Sequence, residues 1–179
     1  MSAGFIDPQE VLNQLPLEKD MVAVDFGCGS GGWVIPLAQR LKDGVVYGVD
    51  VQEDVLLSMI NRANLKGLNN IKKVLADVEK GIKQIENESC DLVLMTNLLF
   101  QVDDKLFIFK EAKRILKNFG KILVVEWDME SPFGPLQENR VSMGAIEQII
   151  QKAGLIKEKE IETSGYHYGL LVGKTQSNL

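Results

Sequence analysis

At 179 residues, 45% hydrophobic and 25% charged, the chain has the length and balance of one globular domain that buries its core without staples. A formal net charge of -5 argues against an unaided grip on a phosphate backbone, which needs clustered Lys and Arg. Cys28 and Cys90 are the only cysteines, too few for a disulfide framework or a four-ligand zinc site.

No apolar stretch approaches the roughly 20 residues of a membrane helix, and no basic segment followed by an apolar run opens the chain. The expectation is a cytoplasmic protein without membrane insertion, a single domain over residues 1–179, with no metal site.

Asp7 and Pro8 read as the cap and first position of a helix, with Val11, Leu12 and Leu15 as its apolar face before Pro16. Residues 21–26 form an apolar, β-branched run that breaks into glycines at Gly27. A helix is predicted over 32–41, a turn at Asp43 and Gly44, and a second strand over 45–49 ending on Asp50. Val55, Leu56, Met59, Ile60 and Ala63 then recur at helical spacing up to Gly67. Residues 71–75 read as a third strand ending at Ala76 and Asp77, and 91–95 as a fourth. Leu106, Phe109, Ala112 and Ile115 mark another helix, which Asn118 or Gly120 should stop before a fifth strand over 121–126. Residues 128–140, with Pro132, Gly134 and Pro135, read as a loop. Ser142 should cap a last helix carrying Ile146, Ile149, Ile150 and Ala153, closed by Gly154.

Strands alternating with helices imply right-handed crossovers and a parallel sheet covered on both faces. The tail departs from that rhythm. Residues 155–162 and 168–174 are two extended stretches joined at Ser164 and Gly165, an antiparallel hairpin, and residues 176–179 should fray.

The sharpest signal is Asp25-Phe26-Gly27-Cys28-Gly29-Ser30-Gly31-Gly32 between a buried strand and a helix, at the sheet edge where α/β proteins bind ligands. Gly27, Gly29 and Gly32 also satisfy the dinucleotide pattern G-x-G-x-x-G. Three acids distinguish the alternatives. Asp25 aims a carboxylate into the turn, where a diphosphate is repelled and an ammonium is welcome. Asp50 can accept from two ribose hydroxyls, and Asp77 can meet an adenine amino group. Acids at three successive strand ends suit a cofactor bearing an ammonium, a sulfonium and an adenosine better than NAD.

On these residues the sequence resembles class I S-adenosylmethionine-dependent methyltransferases. Residues 24–31 look like the family's D-x-G-x-G-x-G motif, 46–50 like its ribose-binding motif, and 76–78 and 91–95 like its adenine-side motif and fourth strand. Residues 109–117 with 120–126 are similar to the subgroup of quinone-biosynthesis methyltransferases. The resemblance implies a Rossmann-like, doubly wound α/β fold: a seven-stranded sheet of order 3-2-1-4-5-7-6, strand 7 antiparallel, with helices on both faces. It implies cofactor contacts from Asp25, Gly27, Cys28, Gly29 and Gly31, from Asp50 and Val51, from Asp77 and Val78, and from Thr96 and Asn97. Asn118-Phe119-Gly120 replaces the subgroup's Pro-Gly-Gly. Thr96-Asn97-Leu98-Leu99-Phe100 lacks the N-P-P-Y run of enzymes that methylate base or glutamine amino groups, and the cysteines of arsenite methyltransferases are missing.

Methyl transfer from a sulfonium draws mainly on alignment and needs a base only where the acceptor loses a proton. His167, near the start of the antiparallel last strand, is expected near the mouth of the site. Arg140, with Glu138 and Asn139, follows the loop at the same edge and is the expected partner for an anionic or carbonyl-bearing substrate. Trp127 is a candidate pocket wall, whereas Trp33 fits packing. Lys157, Glu158, Lys159 and Glu160 suit a charged edge strand. The expected partner is a small-molecule acceptor. RNA or protein acceptors, a catalytically silent S-adenosylmethionine-binding partner subunit, and an NAD-dependent oxidoreductase are the alternatives.

Overall fold

The computed structural model describes residues 6–163 and 165–175. Ser164 and the tail over 176–179, expected as turn and frayed end, lie outside the described residues. A single mixed sheet organises the chain, with order β3-β2-β1-β4-β5-β7-β6. Its strands are β1 (Val22–Phe26), β2 (Val45–Asp50), β3 (Ile71–Leu75), β4 (Cys90–Thr96), β5 (Leu116–Trp127), β6 (Leu155–Ile161) and β7 (His167–Lys174). The first five pair in parallel, and β7 runs antiparallel to both β5 and β6, as expected from the tail.

Two cores result from the period-two alternation of buried strands. Ile122 and Val124 of β5 face one apolar cluster, which α4 (Lys105–Ile115) and α5 (Met143–Lys152) cover with Ile108, Phe109, Ala112, Ile146 and Ile150. Leu123 and Val125 face the other, beneath α1 (Pro8–Leu12), α2 (Val34–Arg40) and α3 (Glu53–Leu65), which contribute Leu12, Val34, Leu37, Leu56 and Met59. Trp33 is buried in this second cluster, a packing residue as expected.

Local signals behave as their chemistry requires. Asp7 caps α1 by accepting from the Gln9 amide at 2.8 Å, and Ser142 caps α5 through the Ala145 amide. On the edge strand β6, Lys157 bridges Glu147 and Glu160, and Glu158 pairs with Lys121 on β5.

One boundary differs. Helix α4 stops at Ile115, and Asn118 and Gly120 lie inside β5 instead of ending the helix. Leu116 pairs with Cys90, yet Lys121 pairs with Leu92, so four residues on β5 oppose Asp91 alone. The turn-forming triplet is spent on this excursion from the ladder. Gly120 is needed there because a Cβ would come within 3.0 Å of the Asp91 carbonyl oxygen. Among the described residues no helix is long and apolar enough to cross a membrane.

Candidate functional site

The parallel register brings the carboxyl ends of β1, β2 and β3 level, with Phe26 opposite Val49 and Asp50 opposite Leu75. A cavity of about 360 Å³ opens there, floored by Gly27 and Gly29 and flanked by Asp50, Val51 and Gln52. Val55 of α3 and Ala76, Asp77, Val78 and Glu79 form one side, and Leu98, Gln101 and Val102 of the β4–α4 turn form the other.

The glycine turn is tied to β2 at two points. Cys28 donates its amide to Val49 O at 2.9 Å, and the Gly29 amide donates to Asp50 Oδ2 at 2.9 Å. Asp50 Oδ1 accepts from the Gln52 amide at 3.0 Å, so the carboxylate is oriented while keeping lone pairs for further donors. Gly29 has φ +51° and faces open space, with nothing within 4 Å of where a Cβ would stand. Gly31 is turned the other way: a Cβ there would lie 2.6 Å from Met59 Cγ, so it packs α3 against the turn and does not line the cavity.

Asp25 is fully buried beneath the glycine turn and does not itself line the cavity, and among the described residues neither carboxylate oxygen has a hydrogen-bond partner. Burial, reinforced by the nearby Asp50 charge, holds its pKa well above the ordinary carboxylate value. An acid kept in that state is costly unless a ligand brings donors or a positive charge. Asp77 is more engaged than its position suggested. It accepts from the Glu79 amide at 3.0 Å and pairs with Lys80 at 2.9 Å, contacts that pull its pKa down, the Lys80 hydrogen bond first. Lys80 is 81% exposed, so this pair is weak and open to exchange.

Other expected contacts lie apart from the cavity. Cys28 turns its thiol inward, 3.8 Å from Met59 Sδ, and burial raises its pKa; only its backbone serves the turn. Thr96 ends β4 and Asn97 follows it, and neither lines the cavity. Asn97 sits at φ +52°, its amide donating to Val125 O at 2.8 Å and its carbonyl accepting from Gln101 Nε2 at 2.7 Å.

His167 and Arg140 are at the carboxyl edge, as their elements required, but neither borders the cavity. His167 pairs in the ladder with Trp127 and packs on its ring at 4.1 Å between centroids. Burial pushes its pKa down to about 4, so it is neutral throughout the physiological range. This is the single histidine, and its ring-proton NMR signals should titrate near pH 4; a midpoint at the ordinary 6.5 would contradict this burial. The depressed value has a stability consequence: its contribution is lost as pH falls from about 6.5 to about 4.

Arg140 donates to five carbonyls of its own loop: Pro135 at 3.0 Å, Asp128 at 3.0 Å, Met129 at 3.1 Å, Ser131 at 2.7 Å and Phe133 at 2.9 Å. The guanidinium expected to face an anionic substrate is thus committed to loop backbone. Trp127 lies under the same loop, so close that a Cβ on Gly134 would stand 2.5 Å from the indole. Phe133 packs edge-on against Tyr166.

Sequence reasoning missed Glu126 and the β4–α4 wall. Glu126, next to last in β5, is fully buried, with Oε1 accepting the Leu99 amide at 2.5 Å. An acid ending an apolar strand is the same signal that drew attention to Asp25 and Asp50. Leu98, Gln101 and Val102 carried no such mark, because apolar and amide residues after a strand look like ordinary loop.

A seven-stranded sheet of this order, a glycine turn after β1 and acids ending β1 and β2 define the class I S-adenosylmethionine-dependent methyltransferase fold. Residues 17–166 match the methyltransferase domain family, and the chain belongs to it. Among solved structures, an S-adenosylmethionine-dependent methyltransferase from Aquifex aeolicus is 26% identical with a TM-score of 0.86, covering 94% of this chain and 89% of that one. A methyltransferase fold from Sulfolobus solfataricus, described as type 11, superposes with a TM-score of 0.81 at 24% identity over 98% of this chain and 96% of that one. The demethylmenaquinone methyltransferase of Geobacillus kaustophilus is 28% identical over 127 residues, 70% of this chain and 53% of that protein. The chain thus spans about half the length of the curated relatives it matches. S-adenosylmethionine is the cofactor these relationships imply, and the open face of Gly29 and the buried Asp25, without a hydrogen-bond partner among the described residues, fit such a group.

Proposed function

We propose that this chain transfers the methyl group of S-adenosylmethionine to a small-molecule acceptor. The observation that carries this reading is the cavity at the carboxyl ends of β1–β3, where Gly29 offers open backbone beside Asp50 and Asp77. When bound, S-adenosylmethionine supplies a methyl carbon activated by its sulfonium. In this reading Asp25 answers the cofactor's ammonium, losing its proton as the positive charge arrives. Asp50 accepts from the ribose hydroxyls with the lone pairs that Gly29 and Gln52 leave over. Asp77 exchanges its exposed Lys80 contact for the adenine amino group, and Val55, Val78, Leu98 and Val102 enclose the apolar parts. Gly27, the Cys28 backbone and Val51 complete the contact; Gly31, Thr96 and Asn97 act by shaping the turn and wall.

The acceptor belongs above β4 and β5, between the 97–102 wall and the loop that Arg140 holds. A quinone-type acceptor is favoured by the demethylmenaquinone methyltransferase relatives, and an RNA acceptor is disfavoured by the net charge of -5. Arg140 positions the loop, and neutral His167 supports Trp127.

Calorimetry with S-adenosylhomocysteine tests the cofactor half. Asp50→Ala should weaken binding by about 1.5–3 kcal/mol, the range for losing hydrogen bonds to a charged group. Unchanged affinity, or tight NADH binding in place of S-adenosylhomocysteine, would refute the assignment. A radiolabelled-methyl screen against small molecules, with RNA and protein fractions kept separate, tests the acceptor half.

A further inference from the structure

The β4–α4 turn is suspended between two carboxylates. At its far end, Glu79 Oε1 accepts from the Asp103 and Asp104 amides at 2.8 and 3.0 Å. At its near end, Glu126 Oε1 accepts from the Leu99 amide at 2.5 Å. Between them lie Leu98, Gln101 and Val102, the residues that wall the cavity. Leu98 also presses on the glycine turn, so that a Cβ at Gly27 would come within 2.9 Å of its Cδ1. Moving the near anchor therefore moves both a wall and the floor.

The two anchors differ in surroundings. Glu79 borders the cavity, whereas Glu126 is fully buried, and among the described residues its Oε2 has no hydrogen-bond partner. Asn97 Oδ1, at the neighbouring end of β4, is likewise buried without a donor. Two buried acceptors at adjoining strand ends lack a hydrogen, and a protonated carboxyl supplies one.

We propose that Glu126 is a positioning residue of the cofactor cavity: its carboxyl group anchors the near end of the β4–α4 turn, and its charge state sets how firmly that wall is closed. This rests on the reading of the cavity as the S-adenosylmethionine site. Burial raises the Glu126 pKa to about 7, against the pull of the Leu99, Leu98 and Trp127 amides and of Lys105 at the start of α4. From β7, Tyr168 faces it across the ladder, its phenol pushed up by burial and by Glu126 and Asp128. Opening the wall returns Glu126 to water, where its ordinary value is 4.5. The closed wall thus favours the protonated acid. Its advantage is complete below pH 4.5, declines as pH rises toward 7, and is gone above 7.

Amide hydrogen exchange at Leu98 and Leu99 in the full-length protein reads this opening. After correction for intrinsic rates, wild-type protection should fall by on the order of a hundredfold between pH 5 and pH 8. Glu126→Gln, neutral at every pH and still presenting Oε1, should hold protection constant and bind S-adenosylhomocysteine within threefold of wild type at pH 6. Glu126→Asp, which withdraws the carboxyl by one methylene, should lower both protection and that affinity about tenfold. Equal pH dependence in wild type and Glu126→Gln overturns the proposal, as does undiminished affinity in Glu126→Asp. Failure of the wild-type protein to bind S-adenosylhomocysteine at any pH overturns instead the cofactor reading beneath it.

Discussion

Asp25→Asn should give a protein that melts higher than the parent and has lost most of its affinity for S-adenosylhomocysteine. Asp25 is fully buried, and its oxygens have no donors among the described residues, so at neutral pH the fold bears the cost of the charge or of the proton that cancels it. Its pKa is raised in the folded chain, which means its contribution declines as pH rises above the ordinary value of 3.8. The amide removes that decline. A gain of about 1–2 kcal/mol corresponds to a few degrees in melting temperature for a chain of this size. In the proposed complex the same carboxylate meets an ammonium, and losing a charge-assisted contact costs roughly ten- to a hundredfold in affinity. Wild type should also release protons on binding, seen as a dependence of calorimetric heat on buffer ionisation. A variant that melts lower, or keeps its affinity, would remove Asp25 from the cofactor site. In the proposed complex, stability is spent on a group that serves the ligand, a common arrangement at functional sites.

Arg140→Ala should leave S-adenosylhomocysteine affinity within about twofold and reduce methyl transfer at least tenfold, because in the proposed reading the loop acts by aligning the acceptor. One guanidinium holds five carbonyls of residues 128–135, a stretch otherwise without a helix or strand. Each bond is worth roughly 1 kcal/mol or more, so the loss falls on local order and not on the sheet. Protease nicking between residues 128 and 140 should appear in the variant alone. Lysine cannot restore the loop, since an ammonium has three donors from one point where guanidinium has five in a planar fork. An intact, protease-resistant loop in Arg140→Ala, or a parallel loss of cofactor binding, would refute this.

Much of the architecture was legible because its signals are local. The apolar runs from β1 to β5 alternate with helical stripes, and Asp7, Pro8 and Ser142 mark helix starts by chemistry that acts within three residues. The triplet Asn118-Phe119-Gly120 misled for the same reason. Its turn chemistry is real, but whether such a turn ends a helix or bulges from a strand depends on the pairing of Leu116 with Cys90 and of Lys121 with Leu92, which no local pattern encodes.

The site divides along the same line. By itself the sequence determined that a glycine turn follows a buried strand and that acids end successive strands, since strand order and crossover handedness carry those ends to one edge. Only the tertiary structure decided what each side chain does there. It buries Asp25 without a hydrogen-bond partner among the described residues, turns the Cys28 thiol into the core, and shields His167 until it is neutral. Arg140 is claimed by carbonyls of its own loop, and Glu126 is set behind a wall of the cavity. Burial and competition among partners are properties of the packed chain, and they, more than residue type, fix a group's charge and its freedom to meet a ligand.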